Sequence, residues 1–191
     1  MGLYVRHFRL TCELANTYVA CDGATGVAWL VDVGEMSDRL IDWIRQSRLR
    51  VVGIFITHAH YDHNGAVDSY IRLFPGAKVY GGSQACAPGK TMTVSDGTPL
   101  EIGSVGAVAF HVPGHTAEHM VLYVPSAGVL FSGDALFAGS VGGTSNEAAK
   151  HHQLEALRQK VLALPPTVVI YPGHGPPTSV RIESQANPFF H

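Results

Sequence analysis

No stretch constrains this chain more than Thr57-His58-Ala59-His60-Tyr61-Asp62-His63. Four of its seven residues are good ligands for a divalent metal, and they directly follow the apolar run Val51-Val52-Gly53-Ile54-Phe55-Ile56. That run has the length and β-branched content of a buried strand. A strand that stops in His-x-His-x-Asp-His delivers its polar groups at the sheet edge, where open α/β folds place their sites. While the backbone stays extended, side chains i and i+2 share a face, so His58 and His60 can grip one ion together. Once the chain turns towards Asn64-Gly65-Ala66-Val67, Asp62 and His63 point elsewhere, towards a second ion. A solvated loop that happens to hold three histidines is the competing reading. Three further ligand candidates in matching settings argue against it.

Those candidates each lie in a glycine-containing turn just after an apolar strand. Val112-Pro113-Gly114-His115-Thr116 follows the strand ending at His111, and Leu130-Phe131-Ser132-Gly133-Asp134 follows the run from Gly128. Ile170-Tyr171-Pro172-Gly173-His174-Gly175 follows the last strand. Three strand ends can therefore bring His115, Asp134 and His174 to the same rim as His58 to His63. Glycine beside each ligand permits tight turns and close approach of backbone to a crowded centre.

Along the chain, Phe8 to Cys12, Asn16 to Cys21 and Val27 to Val31 read as strands, with Asp32-Val33-Gly34 closing the last. A helix N-capped by Ser37 follows, with Leu40, Ile41 and Ile44 as its apolar stripe, stopping near Ser47. After the histidine cluster come a helix over Val67 to Phe74, a strand at Lys78 to Tyr80, and a Gly/Ser/Thr/Pro-rich surface loop with one strand from Gly81 to Pro99. Strands are expected at Leu100 to Ile102, Val105 to Val112, Val121 to Val124, Gly128 to Phe131 and Val168 to Tyr171. Helices are expected at Asn146 to Leu164 and Thr178 to Ala186. No linker, repeat or low-complexity tract divides residues 1–191, so one layered α/β domain is expected.

Composition narrows the function classes. A net charge of −2 over 191 residues argues against a nucleic-acid-binding surface, and no apolar run approaches a membrane span. The N-terminus carries neither a signal-peptide nor a myristoylation pattern. Cys12, Cys21 and Cys86 are odd in number and widely spaced, which suggests reduced cysteines in a cytoplasmic protein rather than a disulfide framework or a thiolate zinc site. The chain has no Gly-x-Ser-x-Gly elbow of a serine hydrolase.

Taken together, Thr57 to His63, Gly114-His115-Thr116, Gly133-Asp134 and Gly173-His174-Gly175 resemble the metallo-β-lactamase superfamily. Phe131-Ser132-Gly133-Asp134-Ala135-Leu136-Phe137 and the ending Asn187-Pro188-Phe189 are similar to its glyoxalase II (hydroxyacylglutathione hydrolase) branch. The resemblance covers nearly the whole chain and is more specific for the superfamily than for the substrate. It implies a four-layer αββα sandwich with two divalent metal ions along one edge. It puts His58, His60 and His115 on the first ion and Asp62, His63 and His174 on the second, with Asp134 bridging. Neutral imidazoles and carboxylates suit zinc foremost, with iron or manganese as alternatives. Asp62 and Asp134 are the expected catalytic carboxylates around a metal-activated hydroxide, which attacks a thioester carbonyl. A thiolate leaves without a strong general acid, because free thiols have a pKa of about 8.5.

The chain also departs from that branch. It ends about where a C-terminal helical glutathione-binding domain would begin, and Gly143 stands where a basic residue is usual. A small-molecule thioester, with glutathione-derived thioesters among the candidates, is the expected partner; nucleic acid and membrane are not expected, and the oligomeric state is open. A persulfide dioxygenase using iron on His58, His115 and Asp134 is the runner-up, followed by lactone or other ester hydrolysis and by a non-enzymatic metal-binding module. His119 is expected to enter a strand rather than ligate, His111 to order its turn, and His151 and His152 to sit on a helix surface. Tyr61, Cys86 and Lys90 are candidates for the pocket or lid, and Thr116 and Ser132 for holding ligands or capping turns.

Overall fold

A computed structural model describes residues 2–191. One sheet holds β1 (Leu3–Arg9), β2 (Asn16–Asp22), β3 (Val27–Val31), β4 (Arg50–Phe55), β5 (Lys78–Gly81) and β6 (Thr91–Thr93), in that spatial order. The hairpin-linked strands β1, β2 and β3 pair antiparallel, whereas β3 to β6 run parallel. Parallel pairing needs crossovers, supplied by α1 (Asp38–Gln46) and by α2 (Tyr61–Asn64) with α3 (Val67–Leu73). The second sheet holds β7 (Thr98–Ile102), β8 (Val105–His111), β9 (Met120–Val124), β10 (Val129–Gly133), β13 (Val169–Pro172) and β14 (Thr178–Ser179), in the order β14-β13-β10-β9-β8-β7. A two-stranded hairpin, β11 (Leu136–Phe137) with β12 (Ser140–Val141), leads into α4 (Glu147–Lys160); α5 (Val180–Ala186) closes the chain.

Three apolar layers separate these elements. Leu40 and Ile44 of α1 and Tyr70 of α3 cover Leu30 and Ile54 on the outer face of the first sheet. Tyr18, Trp29, Phe55, Leu122 and Phe131 fill the space between the sheets. Leu157 of α4, with Val161 just beyond it, packs on Leu130 and Ile170 outside the second sheet. The result is the four-layer α/β/β/α sandwich that the resemblance implies. Strands covered on both faces explain the continuous apolar runs at β3, β9 and β10, all of whose residues are buried. Truncating Phe55 or Phe131 in this interior would cost about 3–5 kcal/mol. Gly53 is required by the same packing: a Cβ there would stand 2.4 Å from the Trp29 indole.

Capping sets the helix starts. The Ser37 hydroxyl accepts from Leu40 N (3.4 Å), Asn146 Oδ1 from Ala149 N (2.9 Å) and Ser179 Oγ from Ile182 N (3.3 Å). Several boundaries differ from the sequence reading. The first strand spans Leu3–Arg9 rather than Phe8 to Cys12, because it is an edge strand with an interrupted apolar pattern. The helix expected to reach Leu164 ends at Lys160, and the one expected from Thr178 begins at Val180, since Thr178 and Ser179 pair with β13. The hairpin and the single turn of α2 were not expected. Among the described residues, no helix is long and apolar enough to cross a membrane.

Candidate metal centre

Topology brings the ligand candidates together. Because β3 and β4 run parallel, Asp32 and the Thr57–His63 segment leave the first sheet at the same end. Because β10 and β13 run parallel, Asp134 and His174 leave the second sheet side by side. His115 arrives from the turn after β8.

Asp32 organises the first of these groups. It is buried and has φ +54°, and its Oδ1 accepts from Thr57 N (2.8 Å). Its Oδ2 accepts from the Thr57 hydroxyl (2.9 Å) and from His63 Nδ1 (2.9 Å). With its proton given to Asp32, the Thr57 oxygen accepts from His58 Nδ1 at 3.0 Å. On the other side, His115 Nδ1 donates to the Gly143 carbonyl at 2.7 Å. These partners place the Nδ1–H of His58, His63 and His115 outside the centre and turn each Nε2 into it.

The inward atoms form three interlocking sets. His58 Nε2 and His115 Nε2 each lie 3.0 Å from His60 Nδ1. Asp62 Oδ2 lies 3.4 Å from His63 Nε2 and 3.1 Å from His174 Nε2. Asp134 stands between them, with Oδ1 3.3 Å from His63 Nε2 and Oδ2 3.5 Å from His174 Nε2 and 3.6 Å from His115 Nε2. In each of His58/His60/His115, Asp62/His63/His174 and His58/His63/Asp134, the donor atoms lie within 4.8 Å of one another. All seven residues singled out in the sequence thus meet in one place.

The donor set fits metal. Tetrahedral nitrogen ligands at about 2.0–2.1 Å from zinc stand about 3.3–3.4 Å apart, near the 3.0 Å that separates His60 Nδ1 from His58 Nε2 and from His115 Nε2. His63 Nε2 and Asp134 Oδ1 are buried without a hydrogen-bond partner. Burial and the neighbouring histidines push the His58 pKa down, and burial and His115 lower that of His60, so both are neutral, as ligands must be. His63, whose Nε2 stands 3.4 Å from Oδ2, holds the Asp62 pKa at about 2. Burial would raise Asp134, but His63, His174 and His115 outweigh it and keep it ionised. Burial likewise opposes a charge on His63, yet Asp32, Asp134 and Asp62 overcome it and hold its pKa well above the usual range. The three carboxylates therefore favour positive charge on Nε2, which a proton or a metal can supply. The turns press directly on the ligands: a Cβ on Gly173 would stand 2.1 Å from Asp134 Oδ1 and 2.7 Å from His63 Cε1.

Two supporting residues escaped the sequence reading. Asp32 looks in the sequence like an ordinary strand end. His119 is fully buried, stacks on His58 (centroids 5.0 Å apart) and accepts from Asp134 N through Nε2 (3.1 Å). It supports ligands from the position just before β9. His111 Nε2 donates to the Ala117 carbonyl (2.8 Å) and orders that turn, while Ser132 Oγ donates to Leu136 O (2.7 Å). The Thr116 hydroxyl is buried without a partner. His151 and His152 are exposed on α4, Cys86 is buried in the core, and Lys90 pairs with Asp68 at 2.6 Å. Tyr61 is 74% exposed at the rim. Two hollows flank the centre. One, of about 390 Å³, is lined by His115, Thr116, Ser145 and His152; the other, of about 290 Å³, by Cys12, Glu35, Met36 and Tyr61. A larger one of about 970 Å³ lies elsewhere, against Trp29, Tyr80 and Leu100, and none of the seven residues lines it.

Comparison with known proteins identifies the family and the fold. The family model described as "Metallo-beta-lactamase superfamily" matches residues 10–174. A hydroxyacylglutathione hydrolase of Legionella pneumophila (strain Lens) is 38% identical over 121 residues, covering 63% of this chain and 47% of that protein. The chain thus spans about half the length of the hydroxyacylglutathione hydrolases it matches. The crystal structure of BLEG-1 B3 metallo-beta-lactamase superposes with a TM-score of 0.87 at 29% identity, covering 98% of this chain and 99% of that one. ETHE1 from Myxococcus xanthus superposes with a TM-score of 0.87 at 27% identity, covering 97% and 83%.

Proposed function

The chain belongs to the metallo-beta-lactamase superfamily, and from that premise we propose that it is a metal-dependent hydrolase of the glyoxalase II type, cleaving a small-molecule thioester in the cytoplasm. The observation that carries this reading is Asp134 set between the His58/His60/His115 and Asp62/His63/His174 groups. His58, His60 and His115 would hold one divalent ion, Asp62, His63 and His174 a second, and Asp134 both. Bound there, zinc, iron or manganese supplies Lewis acidity towards the carbonyl and a water acidic enough to attack at neutral pH.

The chain's own residues do the rest. Asp32 and the Gly143 carbonyl keep His58, His63 and His115 in the ligating tautomer. Asp62 and Asp134, ionised at neutral pH, offset part of the ionic charge and orient the attacking water by accepting its hydrogen. The leaving thiolate needs no dedicated acid. Gly143 carries no side chain to anchor a carboxylate, so a glutathione thioester is expected to bind weakly.

The alternative is iron-dependent persulfide oxygenation on His58, His115 and Asp134, a facial triad contained within the larger set, and the likeness to ETHE1 is in keeping with it. The test reconstitutes metal-free protein separately with zinc and with ferrous iron. Thiol release from S-lactoylglutathione and oxygen uptake with glutathione persulfide are then followed. We expect thiol release with zinc at a high KM. Oxygen uptake strictly dependent on iron, with no thioester cleavage under either metal, overturns the hydrolytic reading.

A further inference from the structure

His174 differs from the other ligands in how its turn is held. The Pro172–Gly175 turn leaves β13 and offers its carbonyls to the first sheet, where one residue takes three of them. Asn16 N donates to Gly173 O (2.7 Å), and Asn16 Nδ2 donates to Pro172 O (3.0 Å) and to Gly175 O (2.9 Å). Two carbonyls facing Nδ2 settle the orientation of the amide. Its Oδ1 then accepts from His7 Nε2 at 2.7 Å. Both amide hydrogens and the amide oxygen of Asn16 have partners, in a residue only 1% exposed. Tyr18 adds a second donor to Pro172 O (2.7 Å), and His7 stacks on the Tyr18 ring with centroids 5.1 Å apart. From the opposite side, Gly173 N donates to Gly133 O (2.9 Å), beside Asp134.

The turn is therefore clamped between Asn16 and the Asp134 turn, and Gly173 is pressed against the Asp134 carboxylate and His63. We propose that Asn16 is a positioning residue for His174, fixing from the first sheet the turn that presents this ligand and so setting the affinity of the second metal position. This inference rests on the two-ion reading above. No other side chain among the described residues offers two donors to this turn. Neither Asp nor Ala at position 16 can replace them: alanine lacks both donors, and a carboxylate would face two carbonyl oxygens.

The experiment is a double-mutant cycle read by metal binding rather than by turnover. Zinc is titrated against a competing chelator into the full-length parent, Asn16→Ala, His174→Ala and the double variant. Loss of groups that orient a ligand typically weakens metal binding about 10–100-fold. The expected result is a drop of that order in second-ion affinity for Asn16→Ala, with the first ion unaffected and no further drop when His174 is already alanine. An equal drop from Asn16→Ala in both backgrounds, or reduced thermal stability with both affinities intact, overturns the clamp and leaves Asn16 a fold contact only. Should Asn16→Ala fail to fold, Tyr18→Phe and His7→Ala each remove one bond of the same network. A smaller fall confined to the second ion is then expected, and unchanged affinities in both overturn the proposal. A parent that binds fewer than two ions, or a His174→Ala variant with undiminished second-ion affinity, takes down the two-ion reading together with the clamp.

Discussion

Asp32 shows how much of this centre depends on residues that would touch no metal. One carboxylate receives Thr57 N, the Thr57 hydroxyl and His63 Nδ1, and through Thr57 it sets the tautomer of His58. His58 belongs to one half of the site and His63 to the other, so Asp32→Asn should weaken both ion positions, by about 10–100-fold each. Asn16→Ala, by contrast, should weaken only one. Zinc titration of Asp32→Asn that matches the parent at both positions would refute this role. The seven ligand candidates were legible because each combines a metal-binding side chain with a glycine turn or with dense spacing after an apolar strand. Asp32 offers no such contrast: an aspartate closing a strand before Val33-Gly34 is what an ordinary turn requires. The supporting role of His119, expected only to enter a strand, is hidden for a related reason. Its side chain acts through a hydrogen bond to Asp134, fifteen residues away, and local pattern says nothing about that partner.

At the scale of elements, long buried strands were readable and short edge pieces were not. β4, β9 and β10 carry enough β-branched and aliphatic residues to declare themselves, whereas β1 is an edge strand with an interrupted apolar pattern and β11, β12 and β14 are two residues long, too short to show any periodicity. Turns that tie one sheet to the other are equally hidden. Asp22, ending β2 at the opposite end of the strand from Asn16, accepts from Ala24 N (2.8 Å) and Thr25 Oγ1 (2.7 Å) in its own turn. It also accepts from Ser104 N and Ser104 Oγ (both 2.8 Å) in the β7–β8 turn. The backbone hydrogen bond from Ser104, with those of Thr25 and Ala24, holds this carboxyl far below the usual range. A carboxylate depressed on folding stabilises the native state above its unfolded pKa of about 3.9 and loses that contribution as pH falls towards the folded value. Asp22→Asn should therefore melt below the parent near neutral pH, and the gap should close progressively below about pH 4. Thermal melts of metal-free protein across that range decide it. A gap independent of pH would mean that the charge of Asp22 contributes nothing.

For the whole molecule, the decisive fact is that the ligand set is divided between the sheets. His58, His60, Asp62 and His63 follow β4 in the first sheet, while His115, Asp134 and His174 follow β8, β10 and β13 in the second. Each proposed ion would therefore cross-link two layers otherwise joined along this rim by backbone and side-chain hydrogen bonds such as those of Asn16. Unfolding separates the two halves of each ligand set, so metal binds the native state far better than the unfolded chain. At a free metal concentration a thousandfold above Kd, such binding stabilises the fold by about 4 kcal/mol. That figure is for one site, and in a chain of this length each kcal/mol moves Tm by about 2–4 °C, so each zinc ion taken up by chelator-treated protein should raise Tm by about 8–16 °C. His174→Ala should retain part of that rise, because His58, His60 and His115 still join the two sheets at the first position. Asp134→Ala removes the one residue shared by both positions and should lose more of it. Calorimetry with and without zinc on the three proteins tests this ranking. If the parent takes up zinc with no rise in Tm, the ions do not discriminate native from unfolded chain, and a centre built from both sheets cannot be where they bind.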